Sequence, residues 1–255
     1  MKNPENILIT GASSGIGEAL ALFYAAKGRT LFLCGRNRER LEEAARKCRL
    51  KGAEVCAECV NVTDSDALKE WIFKCDDAAC LDLAIANAGI SAGPAGAEGE
   101  TEEQTRRIFA VNLGGVLNTV FPVMERMRKR KKGQIAVLSS LAGYRGLPSA
   151  PAYSGSKTAV RAWGEALRGR LVRENIEVNV ICPGFVASRI TAKNKFPMPF
   201  FMPADKAAKI IAKGLSKNKS RITFPWPMAF SAWVMSILPA AIADRILSHL
   251  PEKGE

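Results

Sequence analysis

Short apolar runs alternate with longer amphipathic segments along almost the whole chain. The apolar runs are typical of buried strands, and the segments between them have the periodicity of helices. This alternation predicts βαβ units, and so a single α/β domain in which a doubly wound parallel sheet of about seven strands lies between two layers of helices. The predicted strands are Asn6–Thr10, Thr30–Cys34, Glu54–Val60, Asp82–Ala86, Gln134–Ser139, Glu177–Ile181 and Arg221–Phe224. The predicted helices are Gly15–Lys27, Arg38–Leu50, Asp64–Ala79, Thr101–Lys131, Ala152–Glu174 and Pro203–Lys217.

The composition is that of an ordinary globular protein. Of the 255 residues, 47% are hydrophobic and 24% are charged, which excludes a disordered or collagen-like chain. The first residues carry no apolar leader, so we expect a cytoplasmic protein whose seven cysteines stay reduced. Cys56 and Cys59 lack a second pair of ligands and His249 is the only histidine. We therefore expect no metal site and no catalysis by histidine.

The loop after the first predicted strand is rich in glycine. It reads TGASSGIG from Thr10 to Gly17 and leads into an amphipathic segment. Glycines at such a turn let the backbone approach a pyrophosphate, and the helix N-terminus supplies N–H donors and a positive dipole. The alternative is an ordinary strand–helix turn, but a place in the first βα unit favours a Rossmann-type dinucleotide-binding fold. The expected contacts are Gly11, Ser13, Ser14, Gly15, Ile16 and Gly17.

Gly35 and Arg36 follow the second predicted strand. Folds that bind NAD carry an acidic residue here for the ribose 2′-hydroxyl. A guanidinium without an acid suits a 2′-phosphate instead, because arginine binds phosphate through paired charge-assisted hydrogen bonds. A solvated helix N-terminus is the alternative, and Glu39 nearby opposes a phosphate. The sequence favours NADP(H), with Arg36 as its ligand, and leaves NAD(H) as the second choice.

Tyr153 lies one helical turn before Lys157, so the two side chains share a helix face. A nearby cation favours the phenolate, and lowering the pKa of a tyrosine from about 10 to about 7 is worth roughly 4 kcal/mol. Such a phenol exchanges protons at neutral pH. Taken alone, the pair is more often a surface contact.

These motifs together resemble the short-chain dehydrogenase/reductase family from the first strand to about residue 220. Five motifs occur in the family's order and spacing. They are the glycine loop Thr10–Gly17, the triplet Asn87, Ala88 and Gly89, the lone Asn112, the serine Ser140 thirteen residues before Tyr153, and the segment Pro183 and Gly184 with Ser188 in place of the more usual threonine.

The resemblance implies a role for each matched residue. Tyr153 would exchange a proton with the substrate oxygen while hydride moves to or from the nicotinamide. Lys157 would lower the pKa of the tyrosine and bind the nicotinamide ribose, Ser140 would donate to the substrate oxygen, and Asn112 would hold a water that links Lys157 to solvent. The other implied cofactor contacts are Asn87, Ala88 and Gly89 on the adenosine side and Pro183, Gly184, Val186 and Ser188 on the nicotinamide side.

Two departures from the family pattern matter. Where the family commonly places an Asp against the adenine, this chain has Asn61 and Val62, which we expect to bind adenine through the amide side chain and the backbone. The family's usual C-terminal strand and glycine-rich stop are missing, which puts a tetramer in doubt. A homodimer through Thr101–Lys131 and Ala152–Glu174 is the weaker expectation.

The C-terminal region divides the chain into 1–220, which would bind the dinucleotide and carry out catalysis, and 221–255, an extension. Residues 222–243 carry no charge and contain tryptophans and prolines, whereas residues 189–221 hold nine Lys/Arg against one Asp. Prolines leave no stretch long enough to span a membrane. Three alternatives remain for the extension: packing over the substrate cleft, packing against a second subunit, or contact with a membrane surface.

The sequence thus predicts an NADP(H)-dependent oxidoreductase for a carbonyl or alcohol. Phe196, Met198, Phe200, Phe201 and Met202 occupy the family's lid region and favour an apolar substrate. Two alternatives stay open, a 3-oxo-lipid reductase at a membrane surface and a dinucleotide-sensing module without turnover. The net charge of +12 favours anionic partners, but no basic stripe with stacking aromatics predicts nucleic-acid binding.

Overall fold

The computed structural model of the chain describes residues 3–91, 100–193 and 196–248. His249 and the last residues of the predicted extension lie outside these ranges. The strands are β1 (Asn6–Thr10), β2 (Thr30–Cys34), β3 (Glu54–Glu58), β4 (Leu83–Ala86), β5 (Gly133–Leu138), β6 (Ile176–Pro183) and β7 (Arg221–Phe224). The helices are α1 (Gly15–Tyr24), α2 (Arg38–Leu50), α3 (Ser65–Ala78), α4 (Glu102–Phe109), α5 (Gly115–Arg130), α6 (Pro151–Leu171), α7 (Ala204–Ser216), α8 (Trp226–Ile237) and α9 (Ala240–Leu247).

The seven strands form one parallel sheet in the order β3-β2-β1-β4-β5-β6-β7. The order reverses between β1 and β4, and in open sheets of this kind ligands bind in the crevice at such a reversal. The predicted doubly wound fold is confirmed. Its seventh strand, Arg221–Phe224, lies just beyond residue 220 and pairs with β6.

Both faces of the sheet are covered by helices. Successive side chains of each strand point to opposite faces, so each strand packs on both sides. Ile7 and Ile9 of β1 belong to the core cluster that includes residues of α1, α2 and α7. Leu8, between them, belongs to the cluster that includes residues of α3, α5 and α6. Strands buried on both faces read as continuous apolar runs, which is why the sequence marks them clearly.

The ends of several elements differ from the sequence prediction. β3 ends at Glu58 instead of Val60, so the residues that follow belong to a loop. α1 ends at Tyr24 instead of Lys27, because Ala25 is extended and Gly28 turns the chain with a φ of +80°. The largest difference lies in Thr101–Lys131, predicted as one helix. A π-helical turn, Ala110–Gly114, separates α4 from α5.

The helical stretch Glu102–Arg130 is long and apolar enough, by length and composition, to span a membrane; of the described residues, no other stretch qualifies. Buried residues make up 56% of its most apolar window. Val116, Val120 and Val123 pack into the core beside β4 and β5. It is therefore a core helix of the α/β fold and not a membrane span.

Candidate active site

The carboxyl ends of β1 and β4 are joined by hydrogen bonds. Thr10 Oγ1 accepts from the backbone N–H groups of Asn87 and Ala88, both at 3.1 Å. The amide Nδ2 of Asn87 donates to the carbonyl oxygens of Thr10 at 2.9 Å and Gly11 at 3.2 Å. The predicted Asn87–Gly89 segment therefore fixes the glycine loop against the neighbouring strand.

The glycine loop leaves room for backbone to approach a ligand. Gly11 and Gly15 have φ angles of +68° and +59°, which side-chain-bearing residues rarely adopt. A Cβ on Gly17 would collide with the Gly11 carbonyl oxygen and lie 2.5 Å from Nδ2 of Asn87. Gly17 thus serves helix–strand packing and does not line the cleft itself.

The N-terminus of α1 points its first N–H groups at this loop. Ser14 occupies the N-cap, but its side chain makes no capping hydrogen bond. A helix start with uncapped donors and a positive dipole is a favourable site for a phosphate. The arrangement fits the pyrophosphate of a dinucleotide.

At the end of β2 the chain presents cations and no acid. Arg36 and Arg40 are exposed and line the cleft. Asn37 caps α2 by accepting from the backbone N–H of Arg40 at 2.9 Å. Glu39, which opposed a phosphate in the sequence analysis, is absent from the cleft lining. Arg40 was missed, because an exposed arginine in the first turn of a helix carries no signal of its own.

The end of β3 differs from the expectation. Val60 and Val62 line the cleft, whereas Asn61 does not. The Asn61 side chain is exposed and accepts from the backbone N–H of Thr63 at 3.3 Å. The amide oxygen of Asn61 is thus used within the loop, and the two valines form the apolar wall of the cleft here.

Ser140 and Tyr153 meet at the carboxyl end of β5. A side-chain hydrogen bond joins them. Ser140 Oγ also accepts from the backbone N–H of Ala142 at 3.1 Å and donates to the carbonyl of Pro183 at 3.4 Å. Both side chains line the cleft, next to the predicted nicotinamide segment.

Lys157 lies deep in the cleft wall and is 2% exposed. Its Nζ donates to the carbonyl of Leu138 at 2.8 Å and lies 5.9 Å from the centroid of the Tyr153 ring. A Cβ on Gly89 would lie 3.3 Å from this Nζ and 3.2 Å from Oδ1 of Asn112. The four predicted catalytic residues are therefore brought to one place.

Asn112 is fully buried in the π-helical turn. Its amide exchanges hydrogen bonds with the backbone of Ile90, at 2.8 and 2.9 Å, and donates to Ser156 Oγ at 3.1 Å. Asn112 thus joins the Asn87–Gly89 segment to α6 behind Lys157. It does not line the cleft, and π-helical turns are frequent at functional sites.

Burial dominates the electrostatics of this cluster. It lowers the pKa of Lys157 from its ordinary 10.5 to about 8, because the ammonium is desolvated. Burial also raises the pKa of Tyr153, against the lowering effect of its hydrogen bond with Ser140. For these residues on their own, burial therefore acts against the expected lowering of the tyrosine pKa, and it also weakens the charge of the neighbouring lysine.

The loop after β6 packs against the glycine loop. A Cβ on Gly15 would lie 3.0 Å from the Cβ of Ser188. Thr191 Oγ1 accepts from the Ser188 N–H at 2.9 Å and donates to the Val186 carbonyl at 2.8 Å. Thr191, which the sequence analysis missed, thus fixes the Val186–Ser188 turn.

The residues predicted as an apolar lid do not reach the cleft lining. Phe200 and Phe201 are exposed, Met202 is buried in the core, and the Phe196 ring packs 5.9 Å from that of Phe185. Of the apolar side chains that line the cleft, three come from the segment after β4, from α4 and from the π-helical turn. They are Ile90, Ile108 and Val111.

The cleft as a whole has a volume of about 680 Å³, and no described carboxylate lines it. Its lining includes the predicted contacts Gly11, Ser13, Ser14, Gly15, Ile16, Arg36, Val62, Asn87, Ala88, Gly89, Ser140, Tyr153, Lys157, Pro183, Gly184, Val186 and Ser188. Four arginines also contribute: Arg36, Arg40, Arg107 and Arg189. The fold and this cleft define an α/β protein of Rossmann type that is built to hold an anionic dinucleotide.

Comparison with known proteins gives the family. The sequence model of the family described as short chain dehydrogenase matches residues 5–197. The chain is 38% identical over 244 residues to an uncharacterized oxidoreductase of Myxococcus xanthus, covering 95% of this chain and 96% of that protein. It is 32% identical over 231 residues to a 3-oxoacyl-(acyl-carrier-protein) reductase FabG of Thermotoga maritima, covering 85% and 92%.

Solved structures agree on the fold. A short-chain dehydrogenase from Sphingobium yanoikuyae in complex with NADPH is 24% identical with a TM-score of 0.78, covering 92% of this chain and 97% of that one. One from Mycobacterium paratuberculosis bound to NAD gives the same identity and TM-score, covering 90% and 100%. The chain belongs to the short-chain dehydrogenase/reductase family. It is an NAD(P)-dependent oxidoreductase that acts on CH–OH and C=O groups.

Proposed function

We propose that this protein is an NADP(H)-dependent oxidoreductase for a hydrophobic carbonyl or alcohol. The observation that carries the cofactor preference is the end of β2, where Gly35 and Arg36 replace an acid and no described carboxylate lines the cleft. Arg36 binds the 2′-phosphate, with Arg40 beside it. An NAD-preferring site would need a hydrogen-bond acceptor for the 2′-hydroxyl at this point.

The catalytic roles follow from the cluster around Tyr153. When bound, the nicotinamide supplies or accepts the hydride. Tyr153 passes the proton to or from the substrate oxygen, and Ser140 donates a hydrogen bond to the same oxygen. Lys157 holds positive charge behind the tyrosine and binds the nicotinamide ribose. Asn112 fixes the backbone of Ile90 behind Lys157. A bound anionic dinucleotide favours the ammonium form of Lys157, which in turn lowers the tyrosine pKa.

The remaining proposed contacts surround the cofactor. Gly11–Gly17 approach the pyrophosphate with α1, Val62 packs on the adenine together with Val60, and Asn87–Gly89 line the adenosine ribose side. Pro183, Gly184, Val186 and Ser188 position the carboxamide. Asn61 stays a proposed adenine contact through its amide nitrogen, because the hydrogen bond with Thr63 uses only the amide oxygen.

The Arg36→Ala variant is expected to bind NADPH about 10- to 100-fold more weakly, because hydrogen bonds to charged groups are each worth about 1.5–3 kcal/mol. The NADH affinity should stay unchanged, since NADH lacks the 2′-phosphate. Fluorescence titration of both nucleotides against both proteins measures this. Arg38→Ala is the matched control, since Arg38 is exposed and does not line the cleft. Equal affinity of the wild type for NADH and NADPH would overturn the preference.

The substrate class rests on the apolar wall made by Ile90, Ile108 and Val111 in the cleft that Tyr153 also lines. We expect kcat/KM to rise along a series of ketones of increasing chain length, by up to about fourfold for each buried CH₂ at about 0.8 kcal/mol. Steady-state kinetics with NADPH gives the slope. A flat series, or a preference for small polyols, would sink the apolar-substrate proposal.

A second candidate is reduction of a 3-oxo-lipid at a membrane surface. The exposed aromatic side chains of α8, described below, favour it, and a relative is named for 3-oxoacyl reduction. In this proposal residues 1–220 bind the dinucleotide and catalyse the reaction. Residues 221–255 contact the membrane surface from its cytoplasmic side. Activity that rises on addition of lipid vesicles separates it from reduction of a carbonyl free in solution.

We also propose a homodimer through α4, α5 and α6. Phe121 on α5 is 52% exposed, and its ring lies 6.1 Å from that of Trp163 on α6. An exposed aromatic on α5 beside a partly buried one on α6 suits a helical interface. A monomeric mass by light scattering would exclude the dimer.

A further inference from the structure

The last two helices expose a patch of large apolar side chains. Those of α8 recur at intervals of four, three and four residues, so they lie on one helix face. Exposed isoleucines of α9 add to them. The α8–α9 patch consists of Trp226, Phe230, Trp233, Ile237, Ile242 and Ile246, whose exposures run from 47% to 77%.

The opposite face of α8 is fixed to the fold. Met228, Ala229 and Ala232 pack against the core. Between α6, β7 and α8 lies a groove of about 500 Å³, in which Phe230 and Trp233 form one wall. The described residues of the chain therefore hold α8 in place but leave the patch uncovered.

The patch is large for a protein of this size. An aromatic side chain presents about 150–250 Å². Three rings exposed by half to three quarters thus offer on the order of 400 Å² before the isoleucines are counted, while the largest patch on a typical monomer is about 300–600 Å². Exposed apolar area of this extent marks an interaction surface.

The serine hydroxyls of α8 are bonded to the backbone of the helix itself. Ser231 donates its hydroxyl to the carbonyl of Pro227 at 3.1 Å, and Ser236 donates to that of Trp233 at 2.7 Å. Residues 222–243 contain no charged side chain. Apart from these hydroxyls, the side-chain donors of α8 are the indole N–H groups of Trp226 and Trp233, and such rings are enriched where a membrane meets water. Such a face suits lipid better than another protein.

The charge around the patch points to the same occupant. Lys217 and Lys219 form no ion pair with a described carboxylate, and the next two residues, Ser220 and Arg221, line the groove beside Trp233. The chain carries a net charge of +12. If two copies met through this face, their positive charges would repel each other. Anionic lipid headgroups attract the same face.

We propose that the α8–α9 patch docks the protein on an anionic lipid bilayer. The tryptophans and Phe230 lie at the boundary between headgroups and acyl chains, and Lys217 and Lys219 lie over the headgroups. Docking by this face is independent of the enzyme's chemistry.

The helix α8, which carries the patch on its outer face, borders the active-site cleft through its inner face. A Cβ on Gly184 would lie 3.1 Å from Sδ of Met228, in the first turn of α8. Docking therefore brings the cleft to the bilayer, where a lipophilic carbonyl is concentrated. This last step rests on the proposed function.

The test uses the full-length protein with vesicles of phosphatidylcholine, alone or mixed with phosphatidylglycerol. The wild type is expected to co-sediment with the anionic vesicles at least about tenfold more strongly than the triple variant Trp226→Gln/Phe230→Gln/Ile237→Gln. The double variant Leu50→Gln/Val172→Gln removes comparably exposed apolar side chains elsewhere, at 73% and 68%, and should bind like the wild type. Lys217→Gln/Lys219→Gln should lose the preference for anionic over neutral vesicles.

The outcomes separate the alternatives. Brominated lipid should quench the tryptophan fluorescence of the wild type, and added salt should weaken the binding. Absence of vesicle binding at low salt, or equal binding by the triple variant, overturns the proposal. So does a wild-type dimer in light scattering that the triple variant converts to monomer without any vesicle binding, since the occupant is then a second copy. NADPH titration checks that each variant is folded. The sedimentation result can be interpreted even if the proposed function fails.

Discussion

The Tyr153→Phe variant is expected to lose about 10²- to 10⁴-fold in kcat, the usual contribution of a positioned general acid or base. The ring keeps its place on α6, so only the proton-transferring hydroxyl and its hydrogen bond with Ser140 disappear. NADPH affinity should fall by less than about tenfold, the share of one ribose hydrogen bond at about 0.5–1.5 kcal/mol. Initial rates at saturating NADPH and a fluorescence titration measure the two quantities separately.

Tyr24→Phe supplies the control for this experiment. Tyr24, the last residue of α1, is buried in the core and does not line the cleft, so the same hydroxyl is removed away from the chemistry. Its kcat should match that of the wild type. A Tyr153→Phe enzyme that keeps more than about a tenth of wild-type kcat would mean that another group moves the proton, and the assignment of Tyr153 would be abandoned.

The sequence predicted those parts of the site that depend on local backbone geometry. The glycine loop is specified by residues whose φ angles and lack of a Cβ are needed within a few positions of each other, as at Gly11 and Gly17. The strands were predictable because burial on both faces makes each one apolar throughout. Tyr153 and Lys157 were placed together by helical periodicity alone.

Other features depend on tertiary contacts and were not predictable in this way. The π-helical turn at Asn112 has no signature in its own residues, and it is recognised only when the amide of Asn112 is seen to bond Ile90 and Ser156. The amide oxygen of Asn61 could bond either a ligand or its own loop, and the structure gives it to Thr63. The contribution of Arg107 and Arg189 to the cleft depends on how α4 and the loop after β6 are oriented.

The pKa values of the catalytic pair show the same limit. Sequence spacing brings a cation to a phenol, but it does not say how much water surrounds either group. In the structure both are desolvated, so the pKa of Tyr153 is raised and that of Lys157 is lowered. A bound anion would raise the Lys157 pKa and so keep its charge above pH 8 as well, and the pocket of arginines is built to bind one.

The lowered pKa of Lys157 makes the free energy of unfolding depend on pH, and this dependence can be measured without a substrate. Its folded pKa of about 8 lies below the ordinary 10.5, so between these values the unfolded chain binds a proton that the folded protein does not. Stability relative to Lys157→Met should therefore rise with pH, by up to about 3 kcal/mol from pH 8 to beyond pH 10. Below pH 8 the lysine is charged in both states and the difference should be constant.

Urea unfolding of wild type and Lys157→Met at pH 7, 8, 9 and 10, without nucleotide, measures this difference. Groups common to both proteins cancel in the comparison, so the difference reports on Lys157. A flat line for this difference would show that the Lys157 amine is solvated. In that case the tyrosine would not need a bound anion to be activated, because a hydrated Lys157 stays charged up to about pH 10. A rising line supports activation by the bound cofactor, since only a desolvated amine near pH 8 can have its charge restored by a phosphate-bearing ligand.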